Sequence, residues 1–488
     1  MTAPLGFTLS VHQNPYLWLE HREMHAVITV SAHHLELTGG ARPTPEPDVR
    51  PIAEVIIVDC SGSMSAPPTK ITAAKRATEA AIDVLPDGVR FAIVKGTGAA
   101  VPVYPADKVL CIADERTRAE AKRAVHRLDA YGSTAIGAWL RYARQLMDPY
   151  PSAVRHALLL TDGENVDETP AELAATLDDC AGHFVCDARG IGDAWDAEEL
   201  LRITSVLRGA AKAITDVSDL AADFVGAIGA AVKKLVPELR LRIGTAPHAR
   251  LRSIRQVFPT MTDLADATAA IGPRTAEFST GSWAAGDVRD YHLCLEIDRG
   301  DSPLFEDLRV ARVDLLMEDR EQTGAVPVLV NWTEDKAASS IVDPHPDVKH
   351  YTSWEQQFQR ATAAGYRAYK QGDLLTAKDE WGRAVAWATT NNDDWALALM
   401  EHVVEIVDGG TGQVRVRDDI SPMWLEALAV ETTHSTRVPD TGSSSPGVAA
   451  DGRGKICTDC GRRAPAGAQY CEKCGIPLGH APVPGGME

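Results

Sequence analysis

Several features are scarce or missing in this chain of 488 residues. No apolar run reaches the roughly 20 residues that span a bilayer. The most apolar helical stretch, Leu220 to Val232, contains Asp223 and is followed by Lys233 and Lys234. The first thirty residues lack both the basic n-region and the uninterrupted apolar h-region of an export signal. Neither membrane insertion nor secretion is expected. Positive charge is also short: 49 Lys and Arg against 68 Asp and Glu leave −19. That balance repels phosphate backbones and disfavours nucleic acid and anionic membranes as general partners. Nine cysteines are an odd number for a disulfide framework, so a reducing cytoplasm is the expected setting.

Catalytic motifs are missing as well. No phosphate loop of the form G-x-x-x-x-G-K-S/T occurs. Gly190-Ile191-Gly192 follows a strand, but Trp195 stands where a dinucleotide loop needs its third glycine. His21 and His25 are four apart, yet the Glu that follows the first His of a zinc-protease helix is absent and the run leads into a strand. They read as surface histidines. Gly300-Asp301-Ser302-Pro303 reads as a hairpin turn, because Pro303 has no N–H for an oxyanion hole. No catalytic constellation emerges, and a non-enzymatic protein is expected.

What is present is a globular composition, 45% hydrophobic and 24% charged, long enough for three or four domains. Residues 51–235 alternate apolar runs (Val55–Asp59, Val89–Val94, His156–Thr161, Gly182–Asp187, Ala211–Thr215) with amphipathic helical patterns. This order predicts a Rossmann-like, doubly wound α/β domain whose strands are buried on both faces. Over residues 236–335 the period becomes two, as in Leu239, Leu241 and Ile243 or Tyr291, Leu293, Leu295 and Ile297, which predicts an antiparallel β-sandwich. Phe7-Leu9-Val11 and Ala26-Ile28-Val30 repeat the pattern within residues 1–50, and two strands alone are marginal in water. They are expected to complete the later sandwich, making the α/β domain an insertion.

Helical periodicity returns over residues 348–430, with helices around Phe358, Ala361 and Tyr366, around Leu374, Trp381 and Ala388, and over Asp393–Val407. The stretch AGYRAYKQGDLLTAKDEWGRAV resembles a tetratricopeptide helix pair, but such arrays need about three repeats. A small bundle packed on the sandwich is expected instead. Residues 431–455, rich in Ser, Gly, Pro and Asp, read as a flexible linker.

The chemistry concentrates at three loops. In VIIVDCSGSM an apolar strand ends in Asp59 and a turn presents Ser61 and Ser63; YGSTAIGAWL puts Thr134 before a helix; LLLTDGEN puts Asp162 after a strand. Two carboxylates and three hydroxyls at the carboxyl ends of parallel strands form an oxygen set suited to Mg2+, with Mn2+ as a substitute, whereas Zn2+ favours nitrogen or sulfur. Taken together these motifs resemble the metal-ion-dependent adhesion site of von Willebrand factor type A domains. The resemblance implies Asp59, Ser61, Ser63, Thr134 and Asp162 as the metal set and an acidic residue of a partner protein as the last ligand.

Near the C-terminus, ICTDCGRRAPAGAQYCEKCGIPL spaces Cys457, Cys460, Cys471 and Cys474 as C-x2-C-x10-C-x2-C, with a glycine after each second cysteine. Four thiolates satisfy tetrahedral Zn2+, and residues 456–479 resemble a short zinc ribbon. Val430-Glu431-Thr432-Thr433 resembles the phosphoacceptor stretch of small actinobacterial forkhead-associated regulators, which would make Thr432 and Thr433 modification sites. A polar linker is the competing reading. The whole arrangement is similar to cytoplasmic actinobacterial type A proteins and to TerY-type proteins that accompany Ser/Thr kinases and PP2C-type phosphatases. It implies a signalling adaptor; a co-chaperone of a MoxR-type AAA+ ATPase is the alternative.

Overall fold

A computed structural model describes residues 5–35, 51–264, 268–335, 346–435, 455–456 and 463–464. The chain opens with β1 (Leu5–Gln13), β2 (Tyr16–Trp18) and β3 (Glu23–His34). Then come β4 (Ile52–Asp59), α1 (Thr69–Asp83), β5 (Arg90–Gly96), β6 (Ala100–Tyr104), β7 (Cys111–Ile112), α2 (Glu115–His126), α3 (Ile136–Met147) and β8 (Val154–Gly163). The α/β unit ends with α4 (Pro170–Cys180), β9 (Val185–Ala194), α5 (Ala197–Val206), β10 (Ala211–Ile214) and α6 (Leu220–Ala231).

Strands follow: β11 (Arg240–Thr245), β12 (Ala249–Phe258), β13 (Thr262–Asp263), β14 (Thr268–Gly272), β15 (Thr275–Ser279), β16 (Val288–Ile297), β17 (Asp307–Met317), β18 (Arg320–Glu321) and β19 (Val326–Thr333). The last described elements are α7 (Pro346–Ser353), α8 (Arg360–Lys370), α9 (Leu374–Thr390), α10 (Asp394–Met400), β20 (Val404–Asp408), β21 (Gln413–Val416), α11 (Pro422–Glu431), β22 (Lys455–Ile456) and β23 (Arg463–Ala464).

The α/β unit is the doubly wound sheet that its apolar strands predict. The order is β10-β9-β8-β4-β5-β6, parallel from β10 through β5, with β6 antiparallel at the edge. Successive residues of β4 point to opposite layers: Val55 and Ile57 pack with Trp139, Leu177 and Leu200, while Ile56 and Val58 pack with Ala77, Val125 and Phe224. An uninterrupted apolar strand is the consequence of that double burial. Helix starts follow local chemistry. Thr169 caps α4 through Glu172, with Pro170 in the first turn.

Strands β1–β3 and β11–β19 form two sheets, β1-β3-β16-β12-β13 and β14-β15-β11-β17-β19-β2, with β18 beside β17. Neighbours run antiparallel except β2, which is parallel to β19. Alternate residues of both sheets, among them Ile28, Val30, Leu293 and Leu295 from the first and Leu241, Ile243, Val313 and Val328 from the second, share one apolar cluster. The α/β unit is threaded between β3 of one sheet and β11 of the other.

The helical part departs from expectation in three ways. The helix expected over Asp393–Val407 stops at Met400, and Val404–Asp408 pairs with Gln413–Val416 as a hairpin. Its β-branched residues and the left-handed Gly412 (φ +69°) favour the turn over another helical turn. The bundle packs mainly on the α/β unit: Trp381, Val385, Met400 and Leu428 belong to the same cluster as Leu200 and Ala211. Thr432 to Ser435, which fall in the stretch expected to be a linker, are buried, and Ser435 Oγ donates to the Val257 carbonyl. Buried Glu426 of α11 fastens the bundle, accepting hydrogen bonds from Ala197 N (2.9 Å) at the start of α5, Tyr366 Oη (2.6 Å) and Lys370 Nζ (2.9 Å).

Inside the sheet, Glu54 of β4 faces His156 of β8 in register. His156 Nδ1 lies 2.9 Å from the Glu54 carboxylate and Nε2 3.5 Å from Asp187 of β9. Burial raises the Glu54 carboxyl despite its imidazole partner. Burial alone would discharge His156, but attraction to Glu54 and bonds to both carboxylates lift it to about 10. His156 therefore contributes its full stabilisation below its ordinary pKa of about 6.5, and that contribution is lost as pH rises through about 10. His156→Gln should cost about 3–5 kcal/mol at neutral pH by leaving buried charge unpaired. Denaturant melts between pH 6.5 and 10 check this: the wild type should lose stability over the window, and parallel curves for the two proteins would refute the assignment.

Candidate metal centre

Asp59 is the last residue of β4, and Asp162 lies near the end of the adjacent β8. Parallel pairing of these strands brings the two side chains to one sheet edge, at the carboxyl ends where α/β sheets bind ligands. Both side chains are 0% exposed, and Ser61 and Thr134 are buried beside them. After Asp59 the chain turns at once. Cys60 N donates to the Gly96 carbonyl, Gly62 N to the Gly132 carbonyl, and residues Gly62–Ser65 form one 3-10 turn before α1. Gly132 takes φ +99°, which swings the loop so that Thr134 arrives at the start of α3.

The hydroxyls and carboxylates form one network. Asp59 Oδ1 accepts from Ser61 N (2.7 Å), and Oδ2 accepts from Thr161 Oγ1 (2.7 Å) and Asp162 N (3.4 Å). Ser61 Oγ and Ser63 Oγ lie 2.9 Å apart, and Ser63 Oγ donates to Asp162 Oδ1 (2.7 Å). A Cβ on Gly163 would lie 3.4 Å from Ser63 Oγ and 3.8 Å from Thr134 Oγ1, so both hydroxyls stand over that glycine. All five residues expected from the sequence are thus gathered at one point. Cys60, between two of them, packs into the apolar layer with Met64 and Ile56, and burial pushes its thiol to about 12.

Three participants carry no signal in sequence spacing. Thr161 supplies the hydroxyl that holds Asp59 Oδ2. Lys70, in the first turn of α1, reaches Asp162 Oδ2 at 2.8 Å with its side chain 8% exposed. Gly192 lies in β9, not in a loop after it, and takes φ +75°. A Cβ there would sit 2.8 Å from Lys70 Cε, so this glycine leaves room for the ammonium.

The electrostatics favour a further cation. Burial pushes the Asp59 carboxyl above its usual range, while Ser61 N–H and the Thr161 hydroxyl favour its charged form and the Asp162 charge adds to the rise. Two buried carboxylates face one ammonium, leaving one negative charge to be balanced. A divalent ion with oxygen ligands fits the donor set of Asp59, Ser61, Ser63, Thr134 and Asp162; a soft ion does not.

The remaining sequence candidates lie elsewhere. Thr432 and Thr433 are buried at the C-terminal end of α11, and their hydroxyls donate to the Ala429 and Val430 carbonyls. In this conformation both hydroxyls face the protein and not solvent. Cys457, Cys460, Cys471 and Cys474 lie outside the described residues.

A doubly wound sheet with three hydroxyls and two aspartates converging at its carboxyl edge defines a type A domain, and residues 53–213 match the family model for the von Willebrand factor type A domain. A solved structure titled von Willebrand factor type A from Catenulispora acidiphila is 36% identical, covers 90% of this chain and 98% of its own, and superposes with a TM-score of 0.81. The chain belongs to the von Willebrand factor type A family. The ArnB paralog VWA2 from Sulfolobus acidocaldarius shares the fold at 10% identity, with 88% of this chain and 98% of that chain covered and a TM-score of 0.51. No curated protein matches.

Lys70→Met leaves Asp162 buried without its cation. Metal-free stability should fall by about 3–5 kcal/mol, and Mg2+ should raise the melting temperature more in the variant than in the wild type. Thermal melts in EDTA and in Mg2+ measure both; equal melting points in EDTA would sink this role for Lys70.

Proposed function

We propose that this protein is a non-enzymatic adaptor that grips partner proteins through a divalent cation. Mg2+, or Mn2+ in its place, would be held by Asp59, Ser61, Ser63, Thr134 and Asp162, directly or through water. The observation that carries this reading is the convergence of three hydroxyls and two fully buried carboxylates with one fixed cation among the described residues. Three of the donors are neutral hydroxyls, so a divalent ion here keeps positive charge for one more anionic ligand. The bound ion would supply Lewis acidity toward a Glu or Asp of the partner. Ser61 and Ser63 orient each other, Thr161 and the Ser61 N–H fix the Asp59 rotamer, and Lys70 fixes Asp162.

The finer reading assigns the partner to Ser/Thr kinase and PP2C-type phosphatase signalling in the cytoplasm. It rests on the likeness of the whole domain arrangement to TerY-type proteins. Among the described residues no helix is long and apolar enough to cross a membrane. In the same reading, residues 1–34 and 236–335 form a β-sandwich platform, and residues 456–479 form a zinc ribbon that adds a second weak contact and so avidity.

Affinity purification of wild type and Asp59→Ala, each with Mg2+ and with EDTA, tests the adaptor. Capture should fall by about tenfold to a hundredfold in the variant and in EDTA. Partner binding indifferent to both would defeat the metal-mediated reading. Elemental analysis in parallel should find one equivalent of zinc fewer in Cys457→Ser than in the wild type.

A further inference from the structure

A second group of metal-ligating side chains lies in the β1-β3-β16-β12-β13 sheet. β3 and β16 run antiparallel with His25 opposite Cys294, Val27 opposite His292 and Glu23 opposite Glu296. The period of two puts Glu23, His25, His292 and Cys294 on one face, because Met24, Ala26, Leu293 and Leu295 between them point into the apolar cluster. Cross-strand neighbours on one face approach closely. One donor atom each from Glu23, His25 and Cys294 all lie within 4.8 Å of one another. His25 Nδ1 is 3.1 Å from His292 Nε2, and the two rings stack with centroids 5.1 Å apart at 14°.

The geometry points to a transition-metal site built from Glu23, His25 and Cys294, with His292 next to His25 as the fourth side chain, taking Zn2+ or a related borderline ion. Two imidazole nitrogens bound to one tetrahedral zinc at about 2.0–2.1 Å stand roughly 3.3 Å apart, close to the spacing found here. Thiolate, imidazole and carboxylate together select zinc, cobalt, nickel or copper over magnesium, the reverse of the all-oxygen centre. The ring nitrogens now share a hydrogen bond; on metal binding that proton moves to the far nitrogen of its own ring, freeing the near lone pair, and the Cys294 thiol releases its proton to solvent.

The surroundings suit an ion entering from one side. Cys294 and His292 are each 5% exposed, His25 is half-buried, and Glu23 is exposed at the open end. The closed end is walled by Val27 against Val348 and Tyr351 of α7, and by Asp290, which accepts from Thr29 Oγ1 (2.7 Å) and Tyr351 Oη (2.8 Å). Arg252 pairs with Glu23 at 2.9 Å and is the cation that an arriving metal displaces. The site joins a strand near the chain's start to one nearly 270 positions later, so ligation would pin the two sequence segments of this sheet.

The test uses the full chain with Cys457, Cys460, Cys471 and Cys474 all changed to Ser, which removes the ribbon thiolates, and Co2+ as the spectroscopic probe. The expected result is one equivalent of Co2+ with tetrahedral visible bands and a thiolate-to-cobalt charge-transfer band. Cys294→Ser should abolish that band, and His25→Gln, at a half-buried position that leaves the core intact, should weaken Co2+ binding by about tenfold or more. Excess Mg2+ should leave the spectrum unchanged. Absence of the charge-transfer band in the ribbon-free chain, its survival in Cys294→Ser, or its displacement by Mg2+ would each overturn the proposal.

Discussion

Two carboxylates with no contact with solvent, Asp59 and Asp162, face each other across adjacent strands, and among the described residues Lys70 alone opposes them. Isolated buried charge is among the most expensive things a fold can contain. Much of the surrounding geometry serves to make it tolerable. The backbone turn at Ser61, the hydroxyls of Thr161 and Ser63, and the space left by Gly192 each satisfy or admit a partner for one carboxylate oxygen. The register of β4 against β8 matters for the same reason. A one-residue slip of β8 would turn Asp162 to the other face of the sheet and set Thr161 in its place.

The rest of the α/β unit can be read as the frame for that pair. Trp139 of α3 packs over Gly96, where a Cβ would fall 2.6 Å from the indole, and its Nε1 donates to the Thr97 carbonyl. This locks α3, and with it Thr134, against β5. At the far ends of the strands three carboxylates, Glu54, Asp187 and Asp223, are met by three cations, His156, Arg189 and Lys212. The centre at the carboxyl edge is left with an unbalanced charge.

The legible parts of this molecule were those written locally. Uniformly apolar strands and three short loop motifs set the doubly wound domain and the five oxygen donors, because a strand end and the turn after it fix a side chain without help from distant residues. Lys70, Thr161 and Gly192 escaped because their roles arise only when α1, β8 and β9 converge. The 404–416 hairpin was hidden by an apolar run that suits a helix as well as a strand, and the burial of Thr432 and Thr433 by a polar stretch that looked like the start of a linker. His25 was weighed against His21, its neighbour in spacing, whereas the sheet sets it beside Cys294 and His292.

The threading of the α/β unit between β3 and β11 has a consequence for synthesis. β1 and β3 leave the ribosome well before β16, and β3 finds its second neighbour only when β16 emerges, after the whole inserted unit has been made. Until then their apolar side chains, Ile28 and Val30 among them, lack the cluster that later covers them, and a lone strand pair is a weak structure in water. The inserted unit has its own sheet and apolar layers, so it can fold in the interval and draw the two halves of the chain together. Its own folding then sets the pace at which the nascent protein stops exposing its first strands.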